Sequence, residues 1–440
     1  MKNHMKMVLT LLAIGILLQT LSACNDSQSY DEPEVRFTIG ELSYEHLEFQ
    51  GIPRRFDYFI PSGFNGRRLP VMVVIHGSGY SSGMQLAEGD FVRIAEEEGF
   101  IVIGFNAVVL HNDECPYATM VRENVHGTEE WISSEGFNFD EIDVETVNVR
   151  PVALGFEAIA TQGINDVAYI NALVDLFIES GFGDDNRVFA AGISHGAYMA
   201  TRLGVEHPER FIGIGSVAGG ISQNWRNAIT SEHPGRWVFI HGDRDWIVPP
   251  GAVVEGNLDA WWDFTYFRFG NDIILSAIDW VLRQHGIEPE QTGFSELEVQ
   301  DVPETYPTSI ERSEFNDGRA VLYWVINGGH TWPGGTQYME SWVVGPVSMH
   351  AQATNLIWDV IRVDIISETP TAVIRHLDGN QFELTVEITT VYDNDRVVTV
   401  SETKNLALSE VESVTVNVDG IDVYVWIENE SVVDVNILNN

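Results

Sequence analysis

Between about residues 69 and 363, short continuous apolar stretches alternate with segments whose apolar residues recur at helical spacing. Continuous apolar stretches are typical of strands that are buried on both faces of a parallel sheet. Strands are predicted at 69–77, 100–105, 187–193, 211–217, 236–240 and 319–326, and helices at 91–98, 167–178, 271–285 and 350–363. This alternation, preceded by an antiparallel pair over 45–61, predicts an α/β fold with a doubly wound sheet.

The pattern changes after residue 366. Apolar and polar residues alternate strictly over 382–388, 414–418 and 421–425, and Asp419-Gly420 marks a hairpin turn. These features predict a small C-terminal β domain over 367–440, with Glu368-Thr369-Pro370 as a hinge. Binding of a substrate polymer, packing and self-association are all compatible with such a domain.

The N-terminal segment 1–23 has two lysines followed by a short apolar core, which is typical of a signal peptide. It ends in Leu21-Ser22-Ala23-Cys24, which resembles the bacterial lipoprotein box and implies lipidation of Cys24. The resemblance implies export and a membrane anchor, in the periplasm or on the cell surface. Ordinary cleavage after a small residue is the alternative. Residues 24–40 are predicted to form a polar tether, 41–366 a catalytic domain, and 107–161 an insertion or lid within it.

The charge balance excludes several classes of partner. The chain has 24 basic and 65 acidic residues, a formal net charge of −41. Nucleic acid and anionic membrane surfaces are therefore repelled. Only two cysteines are present, so a lipidated Cys24 leaves Cys115 without a disulfide partner and makes core burial the source of stability.

A Gly-x-Ser-x-Gly motif, Gly192-Ile193-Ser194-His195-Gly196, lies between an apolar strand and a helix. This arrangement is typical of the nucleophile elbow of α/β-hydrolases, which raises one serine hydroxyl above the edge of a sheet. Because one short motif also occurs by chance, the assignment of Ser194 as a nucleophile depends on residues elsewhere in the chain.

A serine hydroxyl needs a histidine base, and the histidine needs a carboxylate that orients it. In α/β-hydrolases the acid and then the histidine follow the serine, on loops beyond strand ends. The strand at 236–240 leads into a loop with Asp243 and Asp245, and the strand at 319–326 leads into a glycine-rich loop with His330. We predict Asp245 as the acid, with Asp243 as the alternative, and His330 as the base.

The oxyanion of a tetrahedral intermediate needs hydrogen-bond donors. One predicted donor is the backbone N–H of His195. The other comes from the loop 76–80, where Ser78 is predicted and Gly79 is the alternative. His76 is expected to brace this loop. This chemistry requires no metal or organic cofactor.

Four stretches form a joint signature: Leu69-Pro70…His76-Gly77, Gly192-Ile193-Ser194-His195-Gly196, His241-Gly242…Asp245…Val248-Pro249 and Gly329-His330-Thr331-Trp332-Pro333-Gly334-Gly335. Together they resemble the polyhydroxybutyrate depolymerase-type esterases and the related feruloyl and acetylxylan esterases. The resemblance covers about residues 45–364 and implies a Ser194–His330–Asp245 triad, with Ser78 and His195 at the oxyanion. It also implies action on a secreted polyester or a plant-wall ester. Many members have a cysteine where this chain has Ser78.

Four tryptophans are candidates for lining the substrate cleft: Trp131, Trp261, Trp262 and Trp332. Their aromatic faces could stack on a feruloyl ring or a sugar, or they could belong to the core.

The predicted function is that of an exported serine esterase that acts through an acyl-enzyme. A non-catalytic polymer-binding lipoprotein and a serine peptidase of the same fold are the alternatives. No propeller-like repeat precedes the sheet, which weighs against the peptidase. The acyl group, the polymer and the oligomeric state stay open.

Overall fold

The computed structural model describes the chain from Arg36 onwards, with interruptions. The described residues are 36–49, 52–77, 80–107, 165–220, 235–248, 282, 286–297, 308–378, 381–394, 396–407, 411–428 and 431–438. The predicted signal segment, nearly all of the 107–161 insertion and most of the helix predicted at 271–285 lie outside these residues.

Ten strands of the described residues form one mixed sheet. They are β1 (Ser43–Phe49), β2 (Ile52–Phe59), β3 (Leu69–Ile75), β4 (Ile101–Phe105), β5 (Gly183–Ile193), β6 (Phe211–Val217), β7 (Arg236–Gly242), β8 (Gln291–Glu296), β9 (Ser309–Phe315) and β10 (Ala320–Ile326). Their order is β1-β2-β4-β3-β5-β6-β7-β10-β9-β8. Six neighbouring strands are parallel to one another: β4, β3, β5, β6, β7 and β10. Antiparallel pairs extend the sheet at both of its edges.

The helices are α1 (Ser82–Glu88), α2 (Phe91–Glu98), α3 (Asp166–Glu179), α4 (His195–Glu206), α5 (Ser341–Val344) and α6 (Ala353–Ile361). Helix α3 begins where the sequence indicates, because the Asn165 side chain caps it by accepting a hydrogen bond from the Ala168 N–H. In the described part of the chain, no helix is both long and apolar enough to span a bilayer.

Helices cover both faces of the parallel strands. A Cβ added to Gly204 of α4 would lie 2.6 Å from the Ile214 side chain of β6. A Cβ added to the next residue of that strand, Gly215, would lie 2.7 Å from Ile357 of α6. Successive residues of a strand face opposite sides, so α4 and α6 lie on opposite faces of the sheet. The predicted α/β fold with a doubly wound sheet is confirmed.

The two residues that border the undescribed segment 108–164 are held near each other. The buried Arg54 guanidinium donates to the carbonyl oxygen of Asn106 at 2.9 Å and to Asp166 Oδ1 at 2.7 Å. Arg54 therefore holds the end of β4 close to the start of α3. That residues 107–161 form an insertion or lid stays a prediction.

Six further strands form two three-stranded antiparallel sheets: β11 (Ile365–Asp378), β12 (Gln381–Tyr392) and β13 (Val397–Ala407), then β14 (Val411–Val418), β15 (Ile421–Glu428) and β16 (Ser431–Ile437). Both sheets contribute to one apolar core that includes Leu384 and Val425. The hinge predicted at 368–370 is wrong, because these residues pair with β12 inside β11, where Pro370 lies opposite Ile388. An edge strand tolerates proline because one side of its backbone needs no partner.

This C-terminal pair of sheets, called the sandwich below, packs against the α/β body at the amino ends of the parallel strands. Arg67, just before β3, binds Glu368 through both carboxylate oxygens at 2.6 and 2.7 Å. Arg236, which begins β7, lies 3.2 Å from Asp393. A strand of seven residues spans about 20 Å, so the contact is about that far from the carboxyl ends. Residues 38–440 form one compact unit.

Candidate active site

Ser194 follows β5, the central parallel strand, and precedes α4. Its φ of +56° is in the left-handed region, which is strained for a residue with a side chain. The turn is possible because its neighbours are glycines. A Cβ on Gly192 would lie 2.7 Å from the Ile75 carbonyl oxygen, and one on Gly196 would lie 2.6 Å from that of His76. Residues 192–196 therefore form a nucleophile elbow.

Asp245 and His330 are brought together although 85 residues separate them. Asp245 follows β7 and His330 follows β10, and these strands are neighbours in the sheet. His330 Nδ1 lies 2.7 Å from Asp245 Oδ2, and both side chains are buried. Because a carboxylate only accepts hydrogen bonds, Nδ1 carries the proton and Nε2 is left as the basic nitrogen.

The other oxygen of Asp245 has backbone partners. Oδ1 accepts from the N–H groups of Ile247 at 3.0 Å and Val248 at 2.8 Å. These two bonds orient the carboxylate, so that Oδ2 points to His330. Asp243, the alternative acid, is exposed.

A second histidine lies next to the acid. His241 Nε2 donates to the Val248 carbonyl oxygen at 2.8 Å and lies 3.4 Å from Asp245 Oδ2. Burial lowers the pKa of His241, and the charge of Asp245 opposes this effect only in part. Nothing in the sequence pattern singles out this contact, because it forms only when the loop after β7 folds back and brings Val248 next to His241. His241 therefore helps to hold the acid loop.

The backbone of His330 is held from two sides. Its N–H donates to the Val344 carbonyl oxygen of α5, and its own carbonyl oxygen accepts from the Tyr338 hydroxyl at 2.7 Å. The ring of Tyr338 packs edge-on against Tyr80, with centroids 5.4 Å apart. Since Tyr80 lies in the loop after β3, these contacts connect the histidine loop to the predicted oxyanion loop.

Of the predicted oxyanion donors, His195 is placed at the first turn of α4, directly after Ser194. Ser78 and Gly79 lie outside the described residues, but Gly77 passes close to the serine: a Cβ on Gly77 would lie 3.4 Å from Ser194 Cβ. His76 braces this loop as expected. Its Nδ1 donates to the Gly77 carbonyl oxygen at 2.7 Å, and its Nε2 accepts from the Ala107 N–H at 3.2 Å.

The prediction that Trp332 lines the substrate cleft is wrong. Its side chain has no exposed surface, its ring lies 5.5 Å from that of Phe91, and its Nε1–H donates to Gln352 at 3.0 Å. The ring is therefore part of the core. The predictions for Trp131, Trp261 and Trp262 concern residues outside the described part of the chain.

Two other tryptophans, which the sequence analysis missed, are exposed on the loops of the acid and the histidine. Trp246 follows Asp245 directly and is 45% exposed, and Trp342 of α5 is 75% exposed. These loops adjoin, because the Arg244 N–H donates to the Gly328 carbonyl oxygen at 2.9 Å. The position of Trp246 beside the acid is a sequence signal that could have indicated it.

Glu88, at the end of α1, is a buried acid near the histidine loop. Its side chain lies beside Tyr80, and a Cβ on Gly335 would lie 2.7 Å from Glu88 Cγ. Burial raises the pKa of Glu88 to about 8, and the Tyr80 phenol offsets only part of this effect. The carboxyl group is therefore neutral at pH 7 in the folded protein.

This shift predicts a dependence of stability on pH. Because the folded pKa of Glu88 is about 8 and its usual pKa is 4.5, the free energy of unfolding falls as the pH rises between these values. Glu88→Gln removes this dependence. We expect the free energy of unfolding of the variant, relative to that of the wild type, to rise by about 1.4 kcal/mol per pH unit between about pH 5 and 8. Urea denaturation at each pH measures this difference.

Glu96→Gln is the control for this experiment. Hydrogen bonds from the Ser62 hydroxyl and N–H lower the pKa of Glu96. The contribution of Glu96 to the free energy of unfolding is therefore present above pH 4.5 and is lost as the pH falls through the folded pKa. The difference in free energy of unfolding between Glu96→Gln and the wild type should thus stay constant between about pH 5 and 8. The same constant difference for Glu88→Gln would contradict the raised pKa.

Within the described residues, no group of three or more His, Cys, Asp or Glu side chains is arranged to hold a metal ion. The buried His330–Asp245 pair and Ser194 all follow the carboxyl ends of parallel strands, and Ser194 precedes the first turn of a helix. These are the elements of nucleophilic catalysis by a serine. A mostly parallel sheet, a Gly-x-Ser-x-Gly elbow after its central strand, and an acid and a histidine beyond later strands are the arrangement of the α/β-hydrolase fold.

Comparisons with known proteins give similarities over parts of the chain. No family model matches. A protein of Nocardia uniformis subsp. tsuyamanensis, described as "Putative esterase NocK", is 30% identical over 188 residues, which are 41% of this chain and 52% of that protein. The chain thus spans about half the length of this curated relative.

Among solved structures, an acetyl xylan esterase from Aspergillus awamori is similar with a TM-score of 0.40 and 13% identity, over 66% of this chain and 94% of that chain. An S-formylglutathione hydrolase from Agrobacterium tumefaciens is similar with a TM-score of 0.35 and 14% identity, over 58% and 87% of the two chains.

Proposed function

We propose that this protein is a serine esterase that hydrolyses carboxylic esters through Ser194, His330 and Asp245. The observation that carries the proposal is the 2.7 Å hydrogen bond between His330 and Asp245, at the sheet edge where the elbow presents Ser194. A structural role would need neither the buried histidine–carboxylate pair nor the strained serine. The similarity to the Nocardia protein described as a putative esterase supports the same chemistry.

The proposed reaction has two halves. His330 Nε2 takes the proton of the Ser194 hydroxyl as its oxygen attacks the ester carbonyl, and the same proton then goes to the leaving alcohol. Asp245 keeps the imidazole in the required tautomer and stabilises the imidazolium. A water molecule then attacks the acyl-enzyme by the same route and releases the acid.

The oxyanion of each tetrahedral intermediate would accept hydrogen bonds from the His195 N–H and from an N–H of the loop after β3, for which Ser78 is proposed. The His195 N–H also lies at the N-terminus of α4, a helix of 12 residues, where the helix dipole favours negative charge. The His195 donor belongs to the backbone of a helix, so it is fixed before the reaction begins.

For the substrate, we propose esters of a secreted polymer: a hydroxyalkanoate polyester or its oligomers, or the feruloyl or acetyl esters of a plant polysaccharide. The resemblance in the sequence motifs supports this range. Trp246, exposed next to the acid, and Trp342, exposed on the helix whose Val344 carbonyl oxygen accepts from the His330 N–H, favour substrates with an aromatic or extended apolar group. We also propose export and anchoring through a lipid on Cys24, which cell fractionation would test by the presence of the protein in the membrane fraction.

The proposal is tested with a panel of p-nitrophenyl, hydroxybutyrate, feruloyl and acetyl esters, together with a fluorophosphonate probe that labels activated serines. Hydrolysis of at least one ester class and labelling of Ser194 are expected. If the purified protein binds a polymer but hydrolyses no ester and stays unlabelled, it is a binding protein on a hydrolase scaffold. Cleavage of peptides but not esters would favour the serine peptidase.

Trp342→Ala tests the substrate side of the proposal. Loss of this exposed ring should lower kcat/KM for a feruloyl ester about 5- to 20-fold, mainly by raising KM, and change it less than twofold for an acetyl ester. Phe294→Ala, which removes an exposed ring from the edge strand β8, is the matched control and should leave both values unchanged. An equal loss on both esters would mean that Trp342 supports α5 and does not contact the acyl group.

A further inference from the structure

The outer face of the β14-β15-β16 sheet presents two aromatic rings. Along β15, Val423, Val425 and Ile427 point into the shared core, and the alternate residues Tyr424 and Trp426 point outward. Trp426 is 43% exposed. Two positions along a strand span about 7 Å, so the two rings are neighbours on one face of the sheet. We call this pair the aromatic platform.

Packing of the sandwich does not account for these rings. After residue 364 the chain has four Phe, Tyr or Trp residues, and the other two, Phe382 and Tyr392, are buried. A register shift beside Trp426 also places an extra residue of β16, Val433, in an exposed position. Such bulges often re-aim a side chain near a functional surface.

Polar groups border the platform on both neighbouring strands. Thr415 and Asn436 lie opposite Tyr424, on β14 and β16. Asn417 donates to Asp422 at 2.8 Å, and Asn436 donates to Asp434 at 2.6 Å. These hydrogen bonds orient the amides and carboxylates beside the rings. Neighbouring aromatic rings with hydrogen-bonding groups beside them suit a ligand with apolar faces and polar edges.

The charge of this region limits the ligand further. Residues 408–440 contain no Lys, Arg or His, so an anionic polymer has no counter-charge here. Carboxylates such as Asp422 and Asp434 only accept hydrogen bonds, so they favour a ligand that donates. A polyester offers carbonyl and ether oxygens, which are acceptors, whereas a sugar offers hydroxyl donors around a ring with an apolar face.

We propose that the aromatic platform binds a neutral polysaccharide, with sugar rings stacked on Tyr424 and Trp426 and sugar hydroxyls donating to the carboxylates. The sandwich packs at the amino ends of the parallel strands, and Ser194 lies at their carboxyl ends. The platform is therefore a second site and not a part of the reacting centre. It goes beyond the proposed ester hydrolysis and does not depend on it.

The test measures binding in the Ser194→Ala background, so that ester chemistry cannot alter the polymer. The purified chain is incubated with insoluble cellulose, insoluble xylan and polyhydroxybutyrate granules, and its depletion from solution gives Kd. We expect binding to at least one of the two polysaccharides, and none to the polyester. Trp426→Ala should weaken this binding about tenfold or more, and Tyr424→Ala less.

Val373→Ala is the matched control, since Val373 is exposed on the outer face of the other sheet, and it should bind like the parent protein. Thermal melting of each variant separates loss of binding from loss of folding. Stacking on sugars should also persist in about 0.5 M NaCl, where a cationic partner would be released.

Four results would overturn the proposal: no binding to either polysaccharide, polyester binding that depends on Trp426, binding that salt abolishes, or a dimer in analytical ultracentrifugation that Trp426→Ala dissociates. Esterase activity decides none of these outcomes. Failure of the ester proposal and failure of this one are therefore distinguishable.

Discussion

Ser194→Ala is expected to lower kcat for a short p-nitrophenyl ester by about 10⁴- to 10⁶-fold. The variant removes the attacking oxygen and leaves the His330–Asp245 pair and the helix N-terminus in place. Any residual turnover would come from those groups acting on water. Ser194 is mostly buried, and alanine tolerates the elbow no worse than serine, so the fold should persist.

Ser216→Ala is the matched control for this variant. Ser216 lies on the neighbouring strand β6, opposite Gly192, and is also buried. Its loss should change kcat less than about twofold, and fluorophosphonate labelling should disappear only in Ser194→Ala. If Ser194→Ala keeps full activity, Ser194 is not the nucleophile and the proposed function is wrong.

Asp245→Asn is expected to lower kcat by about 10⁴-fold with little change in KM. The amide oxygen of the asparagine takes the place of Oδ1, which accepts from the N–H groups of Ile247 and Val248. Its NH₂ group then faces His330, where the carboxylate had accepted a hydrogen bond. His330 Nδ1 must accept instead, so the proton moves to Nε2 and the base is blocked.

Asp243→Asn tests the same carboxylate-to-amide change two residues earlier, on an exposed side chain. It should retain the activity of the wild type, because Asp243 is not the group bonded to His330. If initial-rate assays show that Asp243→Asn loses activity and Asp245→Asn keeps it, Asp243 is the acid. Thermal melting checks that Asp245→Asn is folded, since this site is buried.

The parallel centre of the sheet was predictable because each of its strands is apolar on both faces. The run Leu69–Ile75 is an example, and it is buried almost throughout. Helix α1 was not predicted, since its buried positions include Ser82, Gln85 and Glu88, which form no apolar stripe. The edge strand β8 was missed for a related reason: its residues are mostly exposed, so no hydrophobic pattern marks it.

The candidate site was predictable in part. The order of Ser194, Asp245 and His330, each after an apolar strand, is a property of the sequence and needs no coordinates. Which tryptophans are exposed and which are buried was not predictable. Trp332 lies two residues from His330 and is buried in the core, whereas Trp342 lies twelve residues away and is exposed.

The α/β alternation, the elbow and the placement of an acid and a histidine after later strands can all be inferred from the amino-acid sequence. These features depend on local periodicity and on the order of residues along one chain. Coordinates are needed to show that Asp245 is the carboxylate bonded to His330, and that the sandwich packs at the end of the sheet away from Ser194. Both outcomes depend on contacts between distant segments, whose geometry arises when the whole sheet is assembled.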